Sequence, residues 1–244
     1  MLRQLAASLP GGTRPMNRDA LKRQAAEAAV AMVEPGMLVG LGTGSTARHA
    51  ITLLGQRHRD GLKMTGVATS IASARQAREL GIPLIEQPSR QQIDLTIDGA
   101  DEIGVQDLSL IKGAGGALLR EKIVAASSRR VVIVADETKL VAKLSGRVAV
   151  PVEVEPFGWE TTMARLQVLG CATSLKLGPD GAPFLTDGGH FVVNCLISDL
   201  SNPAGVEDRL AQVVGVIETG LFVGLATTVF IASESGVRRF DRGG

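Results

Sequence analysis

The chain has 244 residues, with 26 Lys+Arg against 25 Asp+Glu and a formal net charge of +1, so it offers no basic field for a nucleic-acid backbone. Tyrosine is absent and aromatics are 3% of residues, which removes the stacking platforms used in single-strand binding. No apolar run approaches the roughly 18 residues of a membrane span, so neither a nucleic-acid nor a membrane partner is expected.

The length fits one large domain, or one plus a smaller partner, at about 150 residues per domain. Gly, Ala, Val and Leu dominate, as in α/β proteins with buried parallel strands. Cys171 and Cys195 lack CxxC spacing, and His49, His58 and His190 are scattered, so no metal-ligand pattern or disulfide framework emerges. The expected compartment is the cytoplasm.

Residues 1–15 contain Arg3, Arg14, no acid and a Pro10-Gly11-Gly12 break. A targeting peptide competes here with a disordered extension over 1–16, or with a start at Met16; the extension or late start is the reading adopted. A helix is expected over 17–33, capped by Asn17 and stopped by Glu34-Pro35-Gly36, with Lys22 near its start. A short strand over 37–41 runs into Gly42-Thr43-Gly44-Ser45-Thr46 and a helix to about residue 54. Strand, glycine turn and helix start together aim backbone N–H groups at an anion. A dinucleotide loop is the competitor, but its third glycine is Ser45 here. The next strand, 63–68, also ends in Thr69-Ser70 where a ribose-binding acid would stand. A phosphate monoester is therefore favoured over NAD, while a turn that merely packs a helix on a strand stays open.

A helix over 71–80 and a strand over 82–85 lead to a strand over 93–97, which delivers Asp98-Gly99-Ala100-Asp101-Glu102. Ligands of open α/β sheets bind at the carboxyl ends of strands, where this turn falls. An Asx-type turn is the plain alternative, and calcium-loop spacing is missing. A strand over 108–111 empties into Lys112-Gly113-Ala114-Gly115-Gly116, and a helix over 117–127 carries Glu121 in its first turn. The glycines permit close backbone approach and the helix start supplies partial positive charge. A buried strand over 131–135 ends in Asp136-Glu137-Thr138-Lys139.

Taken together, these motifs, with Arg120-Glu121-Lys122, Pro151-Val152-Glu153-Val154 and Thr186-Asp187-Gly188-Gly189, closely resemble the ribose-5-phosphate isomerase type A family in order and spacing. The resemblance runs from about Lys22 nearly to the end. It implies metal-free, cofactor-free interconversion of ribose 5-phosphate and ribulose 5-phosphate in the non-oxidative pentose phosphate pathway. Glu121 would move the proton between C1 and C2, and Asp98 would assist ring opening with Asp101 beside it. Lys112 and the Gly113, Ala114 and Gly115 backbone would stabilise the enediolate oxygen. Thr43, Gly44, Ser45 and Thr46, with Lys22 and Lys139, would hold substrate and phosphate, and Gly99 and Ala100 belong to the hydroxyl-binding turn. Ala114 departs from the family's frequent unbroken glycine run. The residue types suit the chemistry independently, because abstracting a proton α to a carbonyl creates an oxyanion, so base and cation must act together. A positioned carboxylate is typically worth about 10²–10⁴-fold, and one oxyanion donor about 10²–10³-fold.

The remaining chain reads as strand 148–154, helix 159–169, strand 172–177, strand 191–196, helix 203–213 and strand 216–222, the split β-α-β-β-α-β pattern. A strand over 227–232 is expected to return to the main sheet. The fold class is thus α/β, a Rossmann-like open and mostly parallel sheet with an inserted smaller α+β (ferredoxin-like) domain. The expected boundaries are 17–147 plus 224–244 for the catalytic domain and 148–223 for the insertion. The resemblance also implies a homodimer or higher homo-oligomer. Competing functions are a related sugar-phosphate isomerase, a thioester transferase using glutamate as nucleophile, and a non-catalytic sugar-phosphate sensor. A sensor would need an output module, for which the N-terminal extension is too short.

Overall fold

The structure, a computed structural model, describes residues 17–86 and 92–243; the expected N-terminal extension lies outside them. Helix α1 (Arg18–Val30) starts where the Asn17 side chain accepts the Asp19 N–H at 3.1 Å. Strand β1 (Leu38–Leu41) is followed by α2 (Ser45–Arg59), β2 (Thr65–Ala68), α3 (Ile71–Glu79) and β3 (Leu95–Asp98). Two short strands come next, β4 (Glu102–Gly104) and β5 (Leu110–Ile111), then α4 (Leu118–Ala126) and β6 (Val131–Asp136). After a 3₁₀ turn at Glu137–Lys139 come β7 (Leu140–Val141), β8 (Val150–Val154), α5 (Trp159–Val168), β9 (Ala172–Leu175) and β10 (Phe191–Leu196). The chain closes with α6 (Pro203–Ala211), β11 (Val216–Thr219), β12 (Leu221–Phe222), β13 (Thr228–Ser233) and β14 (Gly236–Asp241).

Six strands form one sheet in the order β14-β13-β6-β3-β1-β2, parallel except for the hairpin of β13 with β14. The strand order reverses beside β1, between β2 and β3, so the carboxyl ends of β1 and β3 open on the crevice where open α/β sheets bind ligands. Strand β6 shows why such strands read as continuous apolar runs. Val132 and Val134 pack into the cluster under α1 and α2, while Val131, Ile133 and Ala135 pack on the opposite face with Leu110, Phe222 and Ile231. Successive side chains alternate faces, and both faces are buried.

A second sheet, in the order β11-β8-β10-β9 and antiparallel throughout, is backed by α5 and α6 around its own apolar cluster. Its β-α-β-β-α-β connectivity is the ferredoxin-like pattern, and β13 then rejoins the main sheet beside β6. Cys171 and Cys195 are buried in this cluster as small apolar groups.

The structure departs from the sequence reading in four places, one of them the unexpected strand β14 that pairs with β13. Residues 82–85 form no strand but a single bridge between Gly66 and Leu84, because Pro83 interrupts so short a run. The single strand expected over 216–222 is two strands in different sheets. The break falls at Gly220, where a Cβ would lie 2.3 Å from the Lys112 carbonyl oxygen and 2.9 Å from that of Pro151. A third sheet, β12-β5-β4-β7, was not expected at all; its strands of two or three residues are too short to carry a periodic signal.

Tight packing in β1 yields a stability prediction. A Cβ on Gly40 would lie 1.9 Å from Thr96 Oγ1 and 2.8 Å from Val124 Cγ1. Gly40→Ala should therefore lower the unfolding free energy by about 1–3 kcal/mol through overpacking, read as a reduced urea midpoint at unchanged slope. An unshifted midpoint would refute the close approach of β1, β3 and α4.

Candidate active site

The first half of the site is the turn after β1. A Cβ on Gly42 would fall 2.2 Å from Asp98 Oδ1 and 2.6 Å from Asp98 Cα, so glycine is what lets the ends of β1 and β3 meet. The Thr43 N–H then donates to Asp98 Oδ1 at 3.1 Å. The Thr43 hydroxyl lies 2.7 Å from that of Thr69 and 2.8 Å from that of Ser70, and Ser73 Oγ donates to the Gly42 carbonyl at 2.6 Å. This hydroxyl cluster, at the end of β2 and the start of α3, fixes the turn from behind. Helix α2 begins at Ser45 with no side-chain cap among the described residues, leaving its first N–H groups and partial positive charge available to an anion. Lys22 reaches across from α1 and donates to Ser45 Oγ at 2.9 Å.

The second half is a buried charge cluster. Lys112, Asp98 and Glu121 are 3%, 2% and 4% exposed, so none is solvated enough to stand alone. Lys112 Nζ lies 2.9 Å from Asp98 Oδ2 and 3.2 Å from Glu121 Oε2, and donates to the Gly99 carbonyl at 2.6 Å. Its three protons therefore face three acceptors, with the Phe222 ring centroid 5.3 Å away. Burial alone would favour a neutral amine, but the Asp98 and Glu121 carboxylates outweigh it and hold the Lys112 pKa above the ordinary lysine value.

Glu121 sits one turn into α4, with the Lys112 ammonium 3.2 Å from its Oε2. Burial is the largest influence and raises its pKa; Lys112 opposes it, and the nearby Asp98 charge adds to the rise. The balance leaves the carboxyl pushed up to about 8. Burial sets this direction, and the one lysine, shared with Asp98, only partly offsets it. One lysine already neutralises Asp98, so ionising Glu121 gives the enclosed cluster a net negative charge.

One cleft of about 130 Å³ gathers the predicted residues Lys22, Thr43, Gly44, Ser45, Thr46, Gly99, Ala100, Asp101, Lys112, Gly113, Ala114, Gly115, Glu121 and Lys139. Asp98 alone of the predicted set is not on its lining. Its Oδ1 accepts the Thr43 and Gly99 N–H groups and its Oδ2 faces Lys112, so it lies beneath the wall as an anchor. Asp101 is on the wall, where its Oδ2 accepts the Ala114 N–H at 2.9 Å. Glu102, the third acid of that turn, points away and accepts the Ser145 N–H and hydroxyl. Sequence reasoning did not reach the bracing role of Thr69, Ser70 and Ser73; the available signal was three hydroxyl residues where a strand hands over to a helix.

The family model for ribose 5-phosphate isomerase A (phosphoriboisomerase A) matches residues 65–236. The chain is 51% identical over 220 residues to ribose-5-phosphate isomerase A of Synechococcus sp. (strain JA-3-3Ab), covering 90% of this chain and 96% of that one. It is 48% identical over 233 residues to the protein of the same name from Nitrobacter hamburgensis, covering 93% and 100%. Among solved structures, ribose 5-phosphate isomerase A from Methanocaldococcus jannaschii superposes with a TM-score of 0.88 at 33% identity, over 92% of this chain and all of that one. Ribose 5-phosphate isomerase from Plasmodium falciparum gives 0.87 at 35%, over 93% and 100%.

The charge cluster can be tested by titration. Carbon-13 NMR of labelled glutamate should show one carboxyl, lost in Glu121→Gln, that ionises only as pH rises through about 8. Because Lys112 lowers that pKa, Lys112→Met should move the midpoint higher still. A midpoint in the ordinary glutamate range would contradict the enclosed geometry.

Proposed function

We infer the reaction from the family: the chain belongs to the ribose 5-phosphate isomerase A family, and it interconverts the aldose ribose 5-phosphate and the ketose ribulose 5-phosphate. The observation that carries a residue-level mechanism is the single buried ammonium of Lys112, shared between two carboxylates beside an anion-binding turn. The uncapped start of α2, the Thr43 to Thr46 turn, Lys22 and Lys139 hold the phosphate, placing the sugar's other end toward Glu121. The Glu121 carboxylate takes the proton from C2 of the open-chain aldose. The electrons left behind form an enediolate, whose negative oxygen is met by Lys112 and the Gly113 to Gly115 backbone. Glu121 returns its proton to C1 as a proton moves from O2 to O1, and the ketose results. Lys112 carries its charge throughout, because Asp98 holds it in place.

Ring opening falls to the aspartates. Asp98 is engaged with Thr43, Gly99 and Lys112, so Asp101 on the cleft wall is the carboxylate that meets the anomeric hydroxyl, with Asp98 acting through Lys112. Two further readings rest on the family likeness: residence in the cytoplasm, and assembly as a homodimer or larger homo-oligomer. The catalytic domain of 17–147 plus 224–244 with an inserted unit of 148–223 is supported by the separate sheet and apolar cluster of β8 to β11.

With ribose 5-phosphate in D₂O, the protein should incorporate deuterium next to the carbonyl. Glu121→Gln should lower isomerisation by at least about 10²-fold with binding retained; full activity would sink the base assignment. Asp101→Asn should impair isomerisation of ribose 5-phosphate more than exchange of the C1 proton of ribulose 5-phosphate, which is acyclic. Equal losses in the two assays would move Asp101 from ring opening to general binding. The kcat/KM profile should rise with pH through about 8, the midpoint of Glu121 in the free enzyme, because the base works only when ionised.

A further inference from the structure

The glycine loop at 113–116 is gripped from both sides. On the inner side, the Ala114 N–H donates to Asp101 Oδ2. On the outer side stands Lys176, just past the end of β9 in the second sheet, whose ammonium donates to the Ala114 carbonyl. That ammonium lies 4.2 Å from the centroid of the Phe184 ring, a cation–π distance. Phe184 in turn packs on the loop, since a Cβ on Gly116 would lie 2.2 Å from its Cε1 atom. Gly116 also has φ +85°, so glycine is required there twice over.

A trans peptide is planar, so its carbonyl and the following N–H point to opposite sides. With the Ala114 carbonyl turned outward to Lys176, the Gly115 N–H is directed the other way. Gly115 lines the cleft, and among the described residues its N–H has no acceptor. It is a donor held ready for an oxygen that arrives with the substrate.

We propose that Lys176 is a positioning residue for the oxyanion: by holding the Ala114 carbonyl it aims the Gly115 N–H at the enediolate oxygen. This rests on the isomerase reading of the same cleft and adds to it a residue from outside the main sheet. Phe184 keeps the ammonium over the loop rather than in solvent. Burial lowers the pKa of Lys176, and the field of Asp101 opposes that shift.

The test compares Lys176→Met, Lys176→Arg and Glu121→Gln, each confirmed as folded by its thermal midpoint, using ribose 5-phosphate as substrate. An oxyanion donor is worth about 10²–10³-fold, and here it is misaimed rather than removed. Lys176→Met should therefore lose about 10–100-fold in kcat with KM changed by no more than about twofold. Lys176→Arg, which keeps a cationic donor, should recover most of the loss. Unchanged kcat in Lys176→Met, a change confined to KM, or equal losses in the Met and Arg variants would each overturn the proposal. Glu121→Gln separates the two levels. If it is inactive while Lys176→Met is fully active, only the positioning role fails. If it retains full activity, the mechanism beneath both fails.

Discussion

A single buried ammonium governs this architecture. Removing the charge of Lys112 from water costs several kcal/mol, and the fold meets that cost with contributions from two sheets and a helix. The β3 end supplies Asp98 and the following turn supplies the Gly99 carbonyl, while α4 supplies Glu121 and β12 supplies the Phe222 ring. The Lys112 N–H is itself fixed by the Gly220 carbonyl at 2.8 Å. Gly220 stands where the chain leaves the second sheet for the small third one, which is why that strand must break there. An ammonium held this way cannot relax when negative charge develops beside it, and such preorganisation is what makes a fixed charge effective in stabilising an oxyanion.

Much of the fold was legible in the sequence because buried parallel strands leave an unmistakable record. Residues 131–135 and 38–41 are apolar on both faces, and each is followed by a turn with a chemical reason to exist. The antiparallel strand Phe191–Leu196 also matched its expected bounds. What stayed hidden was the third sheet and β14. Leu110–Ile111 lies within an expected strand, 108–111, but a strand such as Leu140–Val141 is set by a partner distant in the chain rather than by local pattern. β14 is mostly exposed and carries Arg238, Arg239 and Asp241, so it lacks the apolar alternation that marks a strand.

The site was legible to a different degree. Residue types at strand ends already pointed to anion binding and proton transfer, and these side chains do converge on one cleft. Which acid faces the cleft was not legible. Asp98 and Asp101 are three residues apart in one turn, yet one lies beneath the wall and the other on it. That choice depends on Gly42 admitting Asp98 against the β1 turn, a contact between residues 56 positions apart. Of the bracing hydroxyls, Thr69 and Ser70 were likewise visible only as a missing acid, and Ser73 not at all. Their function follows from the side of Thr43 they touch, which no spacing rule encodes.

The second sheet does more than enclose its own core. Lys122, next in sequence to Glu121, lies 2.6 Å from Glu207 on α6 and 2.7 Å from Glu218 on β11, with the Phe222 ring centroid 5.1 Å away. Arg120, on the other side of Glu121, donates to the Asp187 carbonyl at 3.2 Å. Asp187 Oδ2 in turn accepts the Ile71 N–H at the start of α3 at 2.7 Å. The helix bearing Glu121 is thus tied on both sides to residues of 186–219, and through Asp187 to the hydroxyl cluster behind Thr43. A base and an anion-binding turn on separate loops of one sheet would have a spacing set only by loop stiffness. With α4 tied to α6 and β11 through Lys122, and α4 and α3 both tied to the turn at Asp187, that spacing is braced by the second unit as well as by the loops, and close placement of this kind is what proton transfer at carbon demands.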